Sequence, residues 1–155
     1  MQSTVPISAR RERIDYVSSE LLPRSALLTR LLLRQLGGEL SRSEAGLLNT
    51  LRAGPRRITE LAELEGLAQP TMTLLVKRLE RHGLVIRERR DDDGRVVRVR
   101  LTEAGIAALE DYRAQAGAVL GAYLAEMPDH QLDALAAATE ALAELLAILQ
   151  RGPIT

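Results

Sequence analysis

Gln69-Pro-Thr-Met-Thr-Leu-Leu-Val-Lys-Arg-Leu-Glu-Arg-His-Gly83, followed by Leu84-Val-Ile-Arg-Glu-Arg-Arg-Asp-Asp-Asp-Gly-Arg-Val-Val-Arg-Val-Arg-Leu101, is the stretch on which the fold turns. The hydrophobic period changes within it. Met72, Leu75, Val76 and Leu79 recur at the spacing of one helical stripe. Pro70 suits the first turn of a helix, and Gly83 suits its end, so a helix is predicted over residues 70–82. Beyond Gly83 the period becomes two. Leu84 and Ile86 alternate with Val85, Arg87 and Arg89, and Val97, Val99 and Leu101 alternate with Arg98 and Arg100. Two alternating runs around Asp91-Asp-Asp-Gly94 predict a β-hairpin with one apolar face and one arginine-rich face.

Working upstream, Ser41-Arg-Ser-Glu44 has capping-box spacing and opens a helix over 43–52. Ala45, Leu47, Leu48 and Leu51 form its apolar face, and Gly54-Pro55 stops it. A short helix follows, with Thr59 as N-cap and Leu61, Ala62 and Leu64 as the apolar face, and Gly66 breaks it. Before these lies a long helical segment, 7–36. Pro23 should kink it or start a second helix, and Gly37-Gly38 ends it. Downstream, Thr102 caps a helix reaching about Ala125, and Met127-Pro128-Asp129 forms a break. The last helix covers 129–150, where Leu132, Leu135, Thr139, Leu142, Leu146 and Leu149 are spaced 3-4-3-4-3, a seam suited to packing along another helix. The stripe Ala114, Gly117, Ala118 and Gly121 is suited to close helix packing. The expected fold is mainly α with a small β-hairpin wing: a winged helix-turn-helix over 40–101, plus a helical dimerisation region from 7–38 and 102–150.

Composition removes several function classes. The 155 residues contain no Cys, so a disulfide framework, a thiolate nucleophile and a cysteine redox switch are excluded. Aromatic residues are Tyr16, Tyr112 and Tyr123, too few for platforms that stack single-stranded nucleic acid. His82 and His130 are the only histidines, and no metal-ligand spacing accompanies them. No Gly-rich phosphate loop or serine-nucleophile motif occurs, so no enzyme activity and no cofactor are expected. The start lacks the apolar core of a signal peptide and no run is long enough to span a bilayer, so a cytoplasmic protein is expected.

Charge is unevenly placed although the net is zero. Residues 52–100 carry 12 basic and 8 acidic side chains, whereas residues 101–155 carry 2 and 8. The excess of cations therefore falls on the helix-and-hairpin stretch, where an anionic partner would be met. The polar side of the 70–82 helix fits a DNA major groove, about 12 Å wide. Thr71 and Thr73 can hydrogen-bond bases or phosphates, Leu74 can touch a thymine methyl, and Lys77, Arg78 and Arg81 can meet phosphates or guanine edges.

The set Glu44-Ala-Gly-Leu-Leu, Ile58-Thr-Glu-Leu-Ala, Gln69-Pro-Thr-Met-Thr-Leu-Leu-Val-Lys-Arg-Leu-Glu-Arg-His-Gly-Leu-Val, Asp91-Asp-Asp-Gly-Arg and Leu101-Thr-Glu-Ala-Gly resembles the MarR family over residues 44–105. That resemblance implies a dimeric bacterial transcriptional regulator on double-stranded DNA, with repression of an inverted-repeat operator the expected sense. It implies a DNA-facing set of Gln69, Thr71, Thr73, Leu74, Lys77, Arg78, Arg81, Asp93 and Arg95, the arginine at the wing tip reaching the minor groove and the aspartate holding it. A cation there suits the negative potential of a narrow minor groove. Many members carry a polar or basic residue where this chain has Leu74. The resemblance also implies release by a small aromatic or anionic effector, for which Arg30 and Arg34, with Tyr16 and Tyr112 as walls, are the candidate pocket. A protein-interaction module that keeps the fold without binding DNA is the alternative, and it has no need of the basic helix face or of Asp93 and Arg95.

Overall fold

The structure is a computed structural model that describes residues 7–38, 40–89 and 97–152. Its elements are α1 (Ile7–Leu33), α2 (Arg42–Leu51), α3 (Ile58–Leu64), α4 (Gln69–Arg81), β1 (Val85–Arg89), β2 (Val97–Leu101), α5 (Glu103–Leu124) and α6 (Asp129–Gln150). The chain is mainly α with a two-stranded antiparallel wing, as the change of period predicts. It divides into two units, residues 1–117 and 118–155, with α5 crossing from the first into the second. No helix among the described residues is long and apolar enough to cross a membrane.

The core of the first unit is a winged helix-turn-helix. Leu47, Leu48 and Leu51 from α2, Leu61 and Ala62 from α3, and Met72, Val76 and Leu79 from α4 close on Val85, Val99 and Leu101 of the hairpin and Leu109 of α5. Each large side chain so buried contributes about 1.5–3 kcal/mol. The predicted stripe on α4 is the buried one, with Leu75 partly buried beside it. Polar ties fix the helices: Thr50 Oγ1 donates to Glu65 Oε1 across α2 and α3, and Arg113 of α5 donates to Asn49 Oδ1 of α2.

Local signals set most boundaries. Ser41 caps α2, with Glu44 N–H donating to Ser41 Oγ (3.3 Å) and Ser41 N–H donating to Glu44 Oε2 (2.8 Å). Gly83 ends α4 at φ +70°, so Leu84 N–H donates to Leu79 O (2.9 Å) and Gly83 N–H to Glu80 O (3.0 Å). That paired pattern satisfies the last carbonyls and turns the chain into β1. Thr102 caps α5 by accepting from Gly105 N–H (3.0 Å), while its own hydroxyl donates to Gly83 O (2.6 Å). One side chain therefore joins the helix start to the hairpin entry.

Several expectations are corrected. Of the two outcomes expected at Pro23, the second is overturned: Pro23 lies inside a single helix, α1, and no second helix begins there. Thr59 is not the cap of α3; Arg57 is, and Glu60 accepts from its N–H (2.9 Å). Leu64 is exposed, because the inward direction set by Leu61 and Ala62 falls next on Glu65, which Thr50 holds. The hairpin faces are mixed. The register pairs Val85 with Leu101, Arg87 with Val99 and Ile86 with Arg100. Arg87 therefore shares the face of Val85 and Val99, and Ile86 that of Arg98 and Arg100. A bridge unforeseen from the sequence adds Arg56 to the sheet: its N–H donates to Val99 O (3.0 Å) and its carbonyl accepts from Val99 N–H (2.8 Å). A Cβ added at Gly117 or Gly121 would meet nothing within 4 Å among the described residues.

The second unit contains the end of α5 and α6. The bounds of α6 are the predicted ones, but none of its residues is buried. Leu132, Leu135, Leu142, Leu146 and Leu149 are all exposed.

Candidate nucleic-acid interface

Met72 and Val76 are wholly buried, while Leu74 on the other side of α4 is 67% exposed. Gln69, Thr71, Lys77 and Arg81 are exposed as well. A helix anchored along one stripe can enter a groove with the other without losing core contacts. Lys77 and Arg81 form no ion pair among the described residues, so both cations are available to an external anion.

Two residues of the predicted set differ from the rest. Thr73 is half-buried, and its hydroxyl donates to Gln69 O (2.9 Å) within the helix, which leaves only acceptor capacity for an outside group. Arg78 is half-exposed, and its Nε meets Glu44 Oε1 at 2.9 Å. Glu44 is 2% exposed, the only charged side chain so deeply buried among the described residues. It lines a cleft of about 270 Å³ with Arg78, His82, Asp111, Tyr112 and Gln115. Sequence spacing identified Glu44 as a capping residue and Arg78 as an outward cation. Nothing in either local pattern signalled that the two would meet.

Behind α4, the wing strands carry their own pairs. Arg87 Nε lies 3.3 Å from Glu80 Oε2, and Arg100 Nε donates to Glu88 Oε1 at 2.7 Å. Asp93 and Arg95 lie outside the described residues.

Residues 40–97, from just before α2 to the first residue of β2, match the family model described as MarR. Over that stretch the chain is similar to the MarR family. Similar solved structures include a probable transcriptional regulator from Pseudomonas aeruginosa, with 29% sequence identity, coverage of 87% of this chain and 97% of that one, and a TM-score of 0.57. YusO from Bacillus subtilis is similar at 22% identity, covering 86% and 96%, with a TM-score of 0.65. MepR from Staphylococcus aureus, a transcription regulator of the multidrug efflux pump MepA, is similar at 18% identity, covering 85% and 97%, with a TM-score of 0.63. These two likenesses concern the fold. No curated protein sequence matches the chain significantly.

Three of the four candidate pocket residues lie around one groove. Arg30, Arg34 and Tyr112 line one groove together with Arg42, Leu27 and Leu36. Tyr16 is not in it. It is 58% exposed on α1, with the Arg24 guanidinium 5.8 Å from its ring centroid. Arg24 also donates to Glu20 (2.9 Å), and that bond, with the charge of Glu20 and Tyr16 nearby, holds its pKa above the ordinary arginine value. The separation follows from α1 itself: Tyr16 is about two turns before Pro23, where the groove begins.

Proposed function

We propose that the chain is a homodimeric repressor that binds an inverted-repeat operator through α4 and the wing. The exposed face of α4, Gln69, Thr71, Leu74, Lys77 and Arg81 opposite a wholly buried stripe, is the observation that carries this reading. Arg95 reaches the minor groove and Asp93 limits its rotamers. Residues 40–101 form the DNA-binding region, and residues 7–38 and 102–150 form the dimerisation region. The exposed leucines of α6 and the uncovered Gly117–Gly121 stripe support a second copy as their cover. A two-fold axis then sets the two α4 helices about one DNA turn, roughly 34 Å, apart. Arg30, Arg34 and Tyr112 receive a small aromatic carboxylate that releases DNA, which requires tighter binding to the DNA-incompetent state than to the competent one.

The test is selection of duplexes by the full chain from a random-sequence library, followed by fluorescence anisotropy at several salt concentrations. The expected result is an enriched inverted repeat, affinity falling steeply with salt, and weaker binding by Arg95→Ala. Failure to enrich any duplex, with no salt-dependent binding, overturns the reading in favour of a protein-interaction module.

A further inference from the structure

Arg78 lies by helical spacing on the flank of α4, between the solvent face of Lys77 and Arg81 and the buried stripe. Its Nε is engaged by Glu44 Oε1 at 2.9 Å, and the other oxygen of that carboxylate, Oε2, accepts from the backbone N–H of Ser41 at 2.8 Å. The carboxylate thus spans two elements: the first turn of α2 and the middle of α4. Because it is 2% exposed, it cannot exchange these partners for water. A buried carboxylate that loses its cation is left uncompensated, so the pair resists separation. The Nε of Arg78 is thereby held toward α2, while the side chain stays 53% exposed.

We infer that Arg78 is a positioning residue: through Glu44 and the Ser41 cap it sets the rotation of α4 against α2, and it does not serve as a phosphate contact. The inference rests on the DNA-binding reading of α4 and deepens it. Lys77 and Arg81 supply the phosphate charge, and Arg78 fixes the angle at which they are delivered. Binding then depends on Glu44 as much as on Arg78, although Glu44 is a buried anion that never meets DNA. A phosphate contact and a positioning brace differ in one measurable way. Removing a phosphate contact lowers the slope of log affinity against log salt by about one per contact, whereas removing a brace lowers affinity and leaves the number of released counterions unchanged.

The experiment uses the full chain and the duplex enriched from the random library, with an unselected duplex of equal length beside it. Glu44→Gln, Arg78→Ala, the double variant and Lys77→Ala are compared by anisotropy across a salt series, after circular dichroism confirms each is folded at the assay temperature. Glutamine serves in capping boxes as glutamate does, so Glu44→Gln keeps the α2 cap and removes only the charge. If Arg78→Ala does not fold, Arg78→Gln takes its place. Glu44→Gln and Arg78→Ala should each weaken the selected duplex by about tenfold, within the coupling range of a shared ion-pair network. The double variant should be no weaker than either, the salt slope should stay at its wild-type value, and preference over the unselected duplex should fall. Lys77→Ala should lower the slope. A reduced slope for Arg78→Ala makes it a phosphate contact and overturns the inference. Wild-type affinity in folded Glu44→Gln or Arg78→Ala overturns it as well, leaving the pair a matter of stability alone. Absence of salt-dependent binding by the wild-type chain is a distinct result, and it rejects the DNA-binding reading and this inference together.

Discussion

Gly105→Ala should destabilise the chain by about 2 kcal/mol, although alanine is the better helix former. Gly105 is buried in the first turn of α5, where a Cβ would lie 2.0 Å from Leu84 O, 3.0 Å from Leu84 C and 3.0 Å from Leu101 Cδ2. Ordinary contact begins near 3.4 Å, so 2.0 Å falls 1.4 Å short, and the obstacle is backbone that cannot swing aside. Either α5 or the Leu84 carbonyl must shift. That carbonyl accepts from Thr102 N–H at 3.1 Å, and Thr102 in turn caps Gly105, so the displacement strains the junction of hairpin and helix. Overpacking costs about 1–3 kcal/mol, and loss of the Thr102 N–H bond adds about 1 kcal/mol. Helix propensity returns up to about 1 kcal/mol. With a urea m-value of about 2 kcal/mol/M, the midpoint should fall by roughly 1 M. Urea titration followed by circular dichroism, at one fixed chain concentration because association shifts apparent stability, measures this directly. An unchanged or raised midpoint refutes the close approach of α5 to the hairpin entry.

Three further outcomes follow from the same geometry. Thr102→Ala removes the N-cap of α5 and the donor to Gly83 O, and should cost about 1–2 kcal/mol, read from the urea midpoint; no change would mean that the cap carries no weight. Lys77→Ala should weaken the selected duplex and lower the salt slope by about one per subunit contact, checked by anisotropy; an unchanged slope would remove Lys77 from the phosphate set. Leu142→Glu with Leu146→Glu places charges on the exposed apolar side of α6, and light scattering should show loss of the dimer; a wild-type chain that is monomeric at micromolar concentration would refute the proposed association.

What could be read from the sequence alone was whatever depends on neighbours within one turn or one strand pleat. The α4 stripe of Met72, Val76 and Leu79, the Ser41–Glu44 box, the Thr102 cap and the bounds of α6 are all of this kind. Their physics is local: a 3.6-residue period, or a side chain satisfying an N–H three residues away. The same locality made the outward side of α4 legible as a candidate interface, because a helix with one apolar stripe must leave the other side to solvent.

Contacts between residues far apart in sequence were decided by the tertiary structure. Alternation predicted two strands but not which side of Ile86 would be covered, since sliding the frame by one residue exchanges the faces and only the Val85–Leu101 register selects between them. The Arg56 bridge to Val99 joins segments more than forty residues apart. Tyr112 reaches the groove of Arg30 and Arg34 while Tyr16, on the same helix as Arg30, does not. Arg78 looked like one more groove cation until the fold brought the buried Glu44 carboxylate to its Nε. A charge taken out of water must find its counter-charge wherever the chain passes close by, and closeness across 34 residues is a property of the packed molecule, not of the local pattern.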